Sequence, residues 1–183
     1  MPYSPQYQAK RPVTVLAGSY GHPLHPILVT VPIGAWVASL AFDIGSRIAH
    51  PGGFLAQGSL WLIAVGVIGA LAAAAVGALD LFAIPTATRA HRTALVHMSL
   101  NLLVTTAYVI GFSWRYGSYH HPGAVPAGQL ALSVVSLAVL AVSGFLGGKL
   151  AYRYGVRVAD EAVQAEGFDG PAARSRPSQA TRA

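Results

Sequence analysis

Charged and apolar residues are unevenly distributed along the chain. Asp, Glu, Lys and Arg are absent from four windows, at residues 12–42, 48–79, 93–114 and 116–148. Each window is long enough for a helix that crosses the roughly 30 Å hydrocarbon core of a bilayer. None of them alternates apolar and polar residues as a barrel strand does, and a helix satisfies its own backbone groups in lipid. The pattern predicts four transmembrane helices, at about 26–49, 59–84, 92–114 and 127–152.

The segments between these helices are short and rich in Gly and Pro, which favour turns. They read HPGGF at 50–54, IPTATRAH at 84–91 and YGSYHHPGAVPAG at 116–128. The predicted fold class is therefore all-α, an integral membrane antiparallel four-helix bundle over residues 26–158. An N-terminal cytoplasmic tail, 1–25, precedes it. A tail at 159–183 mixes acids with Ala, Ser, Pro, Gln and Arg, a composition that predicts disorder on the cytoplasmic side.

Composition agrees with a chain that lies largely in lipid. Of its 183 residues 54% are hydrophobic and 10% are charged, against about 25% charged residues in soluble domains. There is no cysteine, which excludes disulfides and thiolate metal sites.

The basic residues predict the orientation of the helices. Seven lie on the side of the N-terminus and the second loop, and two on the other side, which places both termini in the cytoplasm. The seven are Lys10, Arg11, Arg89, Arg92, Lys149, Arg153 and Arg157, and the two are Arg47 and Arg115. The net charge of +6 is then a topology signal and an attraction to anionic headgroups, with no need for nucleic acid. We expect the plasma membrane of a prokaryote, with the lipid bilayer and a second copy or another membrane protein as partners.

The few polar residues within the helices fall on particular faces. In helix 1 they form one stripe, in which Asp43 is four residues from Arg47 and is expected to pair with it on the helix surface. In helix 2, Asp80 shares a face with Gly66, Gly69 and Ala73, and Gly77 lies beside it. Small residues at this spacing allow another helix to approach closely. Asp80 is either a structural partner or a functional acid, and its expected structural partners are Arg89, Arg92 and Lys149.

An antiparallel bundle brings the titratable groups of all four helices together at the cytoplasmic end. His97, Asn101 and Tyr108 share a face of helix 3, and the helix ends supply the rest of the cluster. Pro23 and Pro26 suit the start of a helix and would hold the first two histidines on a stiff entry. The predicted cluster contains His22, His25, Asp80, His91, His97 and Lys149.

Three segments of the chain carry a family resemblance. They are GHPLHPILVTVPIGAWVASLAFD at 21–43, VGALDLFAIP at 76–85 and GGKLAYRYGVRV at 147–158. Together with the histidines of helix 3, they resemble the predicted membrane proteins of domain of unknown function 2231. The resemblance implies a four-helix integral membrane domain and no particular reaction. It marks His22, His25, Asp80 and Lys149 as positions of the family pattern. The layout is also distantly similar to b-type dihaem membrane cytochromes.

Three functions remain open from the sequence. In the first, the chain is a haem-binding electron-transfer membrane protein, in which His25 and His97 are axial ligands of a b-type haem and Gly66 and Gly69 leave room for its macrocycle. In the second, a transition metal or a proton binds in a transport or sensing protein. In the third, the polar cluster only fixes helix packing. The metal ligands would be His22, His25, Asp80 and His97, with Asn101 and Lys149 in support.

No nucleophile–base pair, phosphate loop or cofactor fingerprint is present, so an enzymatic role is not predicted. His120 and His121 lie in the third loop beside a proline and are interpreted as solvated.

Overall fold

A computed structural model describes residues 4–121 and 123–168. In these residues the regular structure is helical throughout. The α-helices are α1 (Pro5–Lys10), α2 (His25–Leu28), α3 (Thr30–Ser46), α4 (Gly53–Ala83), α5 (Arg89–Tyr116), α6 (Ala127–Gly148) and α7 (Glu161–Ala165). A π-helical turn, Lys149–Arg153, continues α6, and short 3₁₀ turns lie at Val15–Ala17 and Glu166–Phe168.

Four helices are long and apolar enough to cross a membrane, which confirms the four predicted spans. Span 1 is His25–Ser46, span 2 is Gly53–Ala83, span 3 is Arg89–Tyr116 and span 4 is Ala127–Arg153. Span 2 begins six residues earlier than the sequence predicted. At Gly52 the chain passes so close to the backbone of Ser46 that a side chain there would overlap it. The connection is therefore a tight glycine turn, and the helix begins directly after it.

Span 1 contains one irregularity, at Val29 between α2 and α3. Pro32 lies four residues after Leu28 and has no amide hydrogen to donate to the Leu28 carbonyl. The interruption separates the short helix that begins at His25 from the rest of the span.

The four spans form an antiparallel bundle. Span 1 packs most extensively on span 2, and span 3 on span 4, while contacts between spans 2 and 3 and between spans 1 and 4 complete the arrangement. Spans 1 and 3 are therefore diagonal. The end that carries the start of span 1 is called the near end below, and the opposite end is called the far end.

The centre of the bundle is a small aromatic and aliphatic core. Trp36, Ile63, Val104 and Tyr108 are all at least 98% buried. The rings of Trp36 and Tyr108 stack with centroids 4.2 Å apart and an interplanar angle of 8°. The Trp36 ring fills the space in front of Gly66, where an added Cβ would overlap the ring. Large apolar side chains such as Ile68, Phe82 and Phe145 point outward and are about 70% exposed, as expected for a lipid-facing surface.

Segments outside the spans close the near end. Ala9 and Val156 join Ile84, Ala94 and Leu150 in a second buried cluster. Residues 159–168 of the tail predicted to be disordered have a defined conformation, which includes the exposed helix α7. Residues 1–3 of the N-terminal tail and 169–183 of the C-terminal tail lie outside the described residues.

The contact between Gly66 and Trp36 predicts a steric effect. We expect Gly66→Ala to lower the free energy of unfolding by about 1–3 kcal/mol, because the added methyl group forces the packed ring aside. The measurement is reversible unfolding in mixed detergent micelles. The control is Gly34→Ala on span 1, where an added Cβ meets nothing within 4 Å, and we expect a change within about 1 kcal/mol. Equal effects of the two substitutions would contradict the prediction.

Candidate functional site

A buried ion pair lies at the far end of the bundle. The two guanidinium Nη atoms of Arg115 donate to the two carboxylate oxygens of Asp43 over 3.1 and 2.9 Å. The hydroxyl groups of Ser59 and Ser133 also donate to this carboxylate. Asp43 is completely buried and Arg115 is 6% exposed, so four elements of the bundle meet at one compensated charge.

The predicted surface pair between Asp43 and Arg47 is wrong. Asp43 points into the bundle, where the buried guanidinium of Arg115 comes from the diagonal span. Arg47 is exposed and donates instead to the backbone carbonyl of Val125, over 2.7 Å. Burial decides between the two partners, because a carboxylate in a low-dielectric interior requires a cation at the same depth.

A second buried ion pair lies at the near end. Arg157 Nε is 2.7 Å from Asp80 Oδ1, and both residues are at least nine-tenths buried. Arg157 Nη2 also donates to the carbonyls of Ala17 and Gly18 over 2.9 and 3.1 Å. Asp80 therefore has a structural partner, but that partner is none of the expected Arg89, Arg92 and Lys149. Arg157 lies in the segment after span 4, and this segment folds back over the end of the bundle.

The near end is also held by contacts at the surface. The carboxylate of Asp160 accepts from the Tyr20 hydroxyl over 2.7 Å and lies 3.0 Å from Lys10 Nζ. The hydrogen bond from Tyr20, together with that from Lys10, lowers the pKa of the Asp160 carboxyl. The Asp160 carboxylate therefore stays ionised at neutral pH and ties the C-terminal segment to the N-terminal one.

The structure brings His25 and His97 together between these two ion pairs. His25 Nδ1 lies 2.9 Å from the Ala73 carbonyl of span 2, and His97 Nδ1 lies 2.8 Å from the Ser143 carbonyl of span 4. The two rings lie opposite one another across the bundle and are nearly perpendicular, with centroids 6.3 Å apart and an interplanar angle of 86°. Each ring is therefore held by a span other than its own.

These contacts determine the tautomer of each imidazole. A backbone carbonyl accepts and cannot donate, so the ring nitrogen that contacts it must carry the proton. Both histidines are therefore protonated at Nδ1, and in the neutral form each keeps a lone pair at Nε2. Histidine ligands of metals have this arrangement, in which the carbonyl orients the ring and the other nitrogen binds the ion.

Asn101 contacts His97 both at its backbone carbonyl and at its ring. The Asn101 amide nitrogen is 2.9 Å from both the His97 carbonyl and the Ser143 hydroxyl oxygen. The same nitrogen also contacts His97 Nε2 over 3.2 Å, a hydrogen bond that an ion at Nε2 would replace while the amide keeps its other two acceptors. The predicted supporting position of Asn101 thus corresponds to a direct contact with the histidine.

The other predicted members of the cluster do not join this pair as ligands. Asp80 is close enough to interact electrostatically with His25 but is paired with Arg157. His22 is exposed, and Lys149 Nζ lies 5.6 Å from the centre of the Tyr154 ring. The buried Nδ1 of His91 has no hydrogen-bond partner among the residues that the structure describes. Within residues 4–121 and 123–168, no three His, Cys, Asp or Glu side chains are grouped closely enough to hold a metal ion.

The room expected for a macrocycle at Gly66 and Gly69 is already filled. Trp36 occupies the first position, and a Cβ at the second would lie 2.7 Å from the Val31 side chain. The small-residue face of span 2 instead allows span 1 to pack closely. Further along the same face the His25 ring lies against Gly77, and across the bundle the His97 ring lies against Gly147.

Sequence reasoning missed the cationic partners of both acids. Arg115 and Arg157 were counted as loop charges that report orientation, although each is buried in an ion pair. The isolated acids were the available signal, because an acid inside a span needs a partner at its own depth.

Comparison with known proteins agrees with this architecture. A family model described as predicted membrane protein (DUF2231) matches residues 21–160. The chain belongs to the DUF2231 family. The match confirms the resemblance and begins at the glycine of the Gly-His-Pro-Leu-His-Pro segment. This DUF2231 protein is therefore a multi-pass membrane protein that lies in a lipid bilayer. No curated protein and no solved structure matches it significantly.

The far-end ion pair predicts that the stability of the protein depends strongly on the balance of charge between Asp43 and Arg115. We expect Asp43→Asn to lower the free energy of unfolding by about 3–5 kcal/mol, because it leaves Arg115 buried without its counterion. The double variant Asp43→Leu/Arg115→Met should recover most of that loss, since it removes both charges. Unfolding in mixed micelles measures both effects.

The control for this prediction is Arg47→Met. It removes an exposed arginine whose guanidinium donates to the Val125 carbonyl, and its effect should stay below about 1 kcal/mol. A double variant as unstable as Asp43→Asn would show that the unpaired charge is not the cause.

Proposed function

We propose that this DUF2231 protein binds a transition metal between His25 and His97, near one surface of the membrane. The observation that carries the proposal is the pair of Nδ1–carbonyl contacts, at 2.9 and 2.8 Å, from two different spans. They leave two Nε2 lone pairs at one level of the bundle, on rings that are 6.3 Å apart. Two imidazoles on opposite sides of one ion, each with a metal–nitrogen distance of about 2 Å, have a comparable separation.

The donor set favours a metal that needs only two protein ligands. Imidazole suits copper, iron, zinc and nickel. No third ligand joins the pair in the described residues, so a four-coordinate ion would lack half of its shell. Two imidazoles complete the shell of a linear copper(I) ion. Haem iron also takes two imidazoles, but the space expected for its macrocycle at Gly66 and Gly69 is filled. We therefore propose copper(I) ahead of haem.

Neighbouring groups suit a cation at this position. The carboxylate of Asp80 interacts with His25, and because Arg157 is paired with Asp80 the surroundings carry little net charge, which suits an ion of charge +1. Asn101 and Ser143 fix the His97 ring. The predicted supporting role of Asn101 is retained in this proposal. His22 and Lys149 are proposed to lie at the entrance to the site rather than in it.

The metal proposal is tested on protein purified in detergent, by elemental analysis and an absorption spectrum, before and after anaerobic loading with copper(I). We expect about one copper per chain, lost in both His25→Gln and His97→Gln. The matched control, His120→Gln in the third loop, should bind as the wild type does. Thermal unfolding of each variant separates loss of metal from loss of fold. The native mass of the loaded protein shows whether a second copy is present, as we propose for a bundle of only four spans.

Two other outcomes would change the proposal. A haem Soret band that requires both histidines would keep the two-imidazole centre but replace the ion. No metal after loading, in a protein that is folded, would overturn the proposal and leave the histidines as packing or proton-binding groups.

We further propose that the near end faces the cytoplasm and that both termini lie there, in the plasma membrane of a prokaryotic cell. The basic residues support this orientation. When Arg115 and Arg157 are excluded, because each is paired with a buried acid of a span, six basic residues remain at the near end and one, Arg47, at the far end. The six are Lys10, Arg11, Arg89, Arg92, Lys149 and Arg153. Basic residues next to spans accumulate on the cytoplasmic side.

Single cysteines test the orientation, because the chain has no cysteine of its own. In intact cells, a membrane-impermeant maleimide should label His120→Cys and should label Ser4→Cys only after permeabilisation. Both positions are exposed, one in the third loop and one before α1. The reverse pattern would contradict the proposed orientation.

A further inference from the structure

A cavity of about 240 Å³ opens at the far end of the bundle, away from the histidines. It lies where span 3 ends and the third loop leads to span 4. Its walls include Arg115, Gln129 and Gln57 on the polar side and Leu60 and Val125 on the apolar side. Tyr119 also lines it and is hydrogen bonded to Trp61, an exposed aromatic side chain typical of a membrane–water boundary.

One largely buried polar side chain of this cavity, that of Gln129, has an unused hydrogen-bonding group that a ligand could reach. Arg115 uses its Nη atoms on Asp43, Gln129 and Ser133, and its Nε, which has no partner among the described residues, is closed off from the cavity. Gln129 is 5% exposed, and within the described residues its side-chain amide makes no hydrogen bond. A donor without a partner in so enclosed a position is costly, so a ligand that accepts from the Gln129 amide would be stabilised.

The charge of the site favours a neutral acceptor. Asp43 compensates Arg115 with two hydrogen bonds, so the lining guanidinium brings little net positive charge to an anion. A neutral carbonyl oxygen can accept from the Gln129 amide without the desolvation cost of an ion. The apolar walls suit the ring or chain that carries this carbonyl.

We propose that this cavity binds the carbonyl-bearing ring of a quinone-type amphiphile. The ring would lie between Leu60 and Val125, with one carbonyl oxygen accepting from the side-chain amide of Gln129. The chain of the amphiphile would extend past Tyr119 into the bilayer. The volume is below the usual range for drug-sized ligands, about 300–1,000 Å³, and suits a single substituted ring. This proposal rests on the far end alone and is independent of a metal at the histidines.

The test is calorimetric titration of the full chain in phosphatidylcholine nanodiscs with decyl-substituted benzoquinone. We expect saturable binding of one quinone per chain, with quenching of tryptophan fluorescence. Gln129→Leu removes a donor and Ala56→Phe fills the cavity, and each should weaken binding at least tenfold. The control Ala74→Phe places the same ring on an exposed position of span 2 and should bind as the wild type does. Thermal unfolding confirms that each variant is folded.

Four results would overturn the proposal. Quenching that never saturates would show simple partition into lipid. Equal affinities for Gln129→Leu, Ala56→Phe and Ala74→Phe would place the quinone elsewhere. Saturable binding in detergent that disappears in nanodiscs would assign the cavity to phospholipid ester carbonyls, and displacement by inorganic phosphate would make it an anion site.

Discussion

Compensation of buried charge is the constraint on which the bundle depends. The spans contain two acids, Asp43 and Asp80, and each is paired with an arginine from a distant part of the chain. An unpaired carboxylate at this depth would favour protonation or displacement of its helix. The two pairs therefore fix both ends of the bundle. One fastens span 1 to span 3, and the other fastens span 2 to the segment after span 4.

The histidine rings are held by hydrogen bonds to backbone carbonyls rather than by ion pairs. A carbonyl within a helix already accepts a hydrogen bond from a backbone amide of the same helix but retains a second lone pair. Ala73 and Ser143 offer this second lone pair to the imidazoles. Glycines near these positions, Gly77 and Gly147, allow the rings to approach the helix backbone. The result is a pair of oriented rings in a setting otherwise dominated by alanine, valine and leucine.

Much of the architecture was accessible from the sequence, because hydrophobic length is nearly sufficient to define a membrane span. The four spans and the small-residue face of span 2 were predicted correctly. So was the juxtaposition of His25 and His97, which follows from their position at one end of antiparallel helices. The partners of Asp43 and Asp80 were not predicted. Helix periodicity shows which face a residue occupies but not which distant cation reaches it. Arg157 in particular depends on the fold-back after span 4, which no hydrophobic pattern records.

The position of Arg157 has a consequence for how the protein is made. Its carboxylate partner is in span 2, so that acid enters the membrane long before its counterion leaves the ribosome. Asp43 is in the same situation, since Arg115 follows it by 72 residues. Spans 1 and 2, which are synthesised first, therefore each hold an uncompensated or protonated acid until the later arginine has been made. The final segment completes the charge balance, and assembly of the bundle becomes a late event that is controlled from the C-terminal end of the domain.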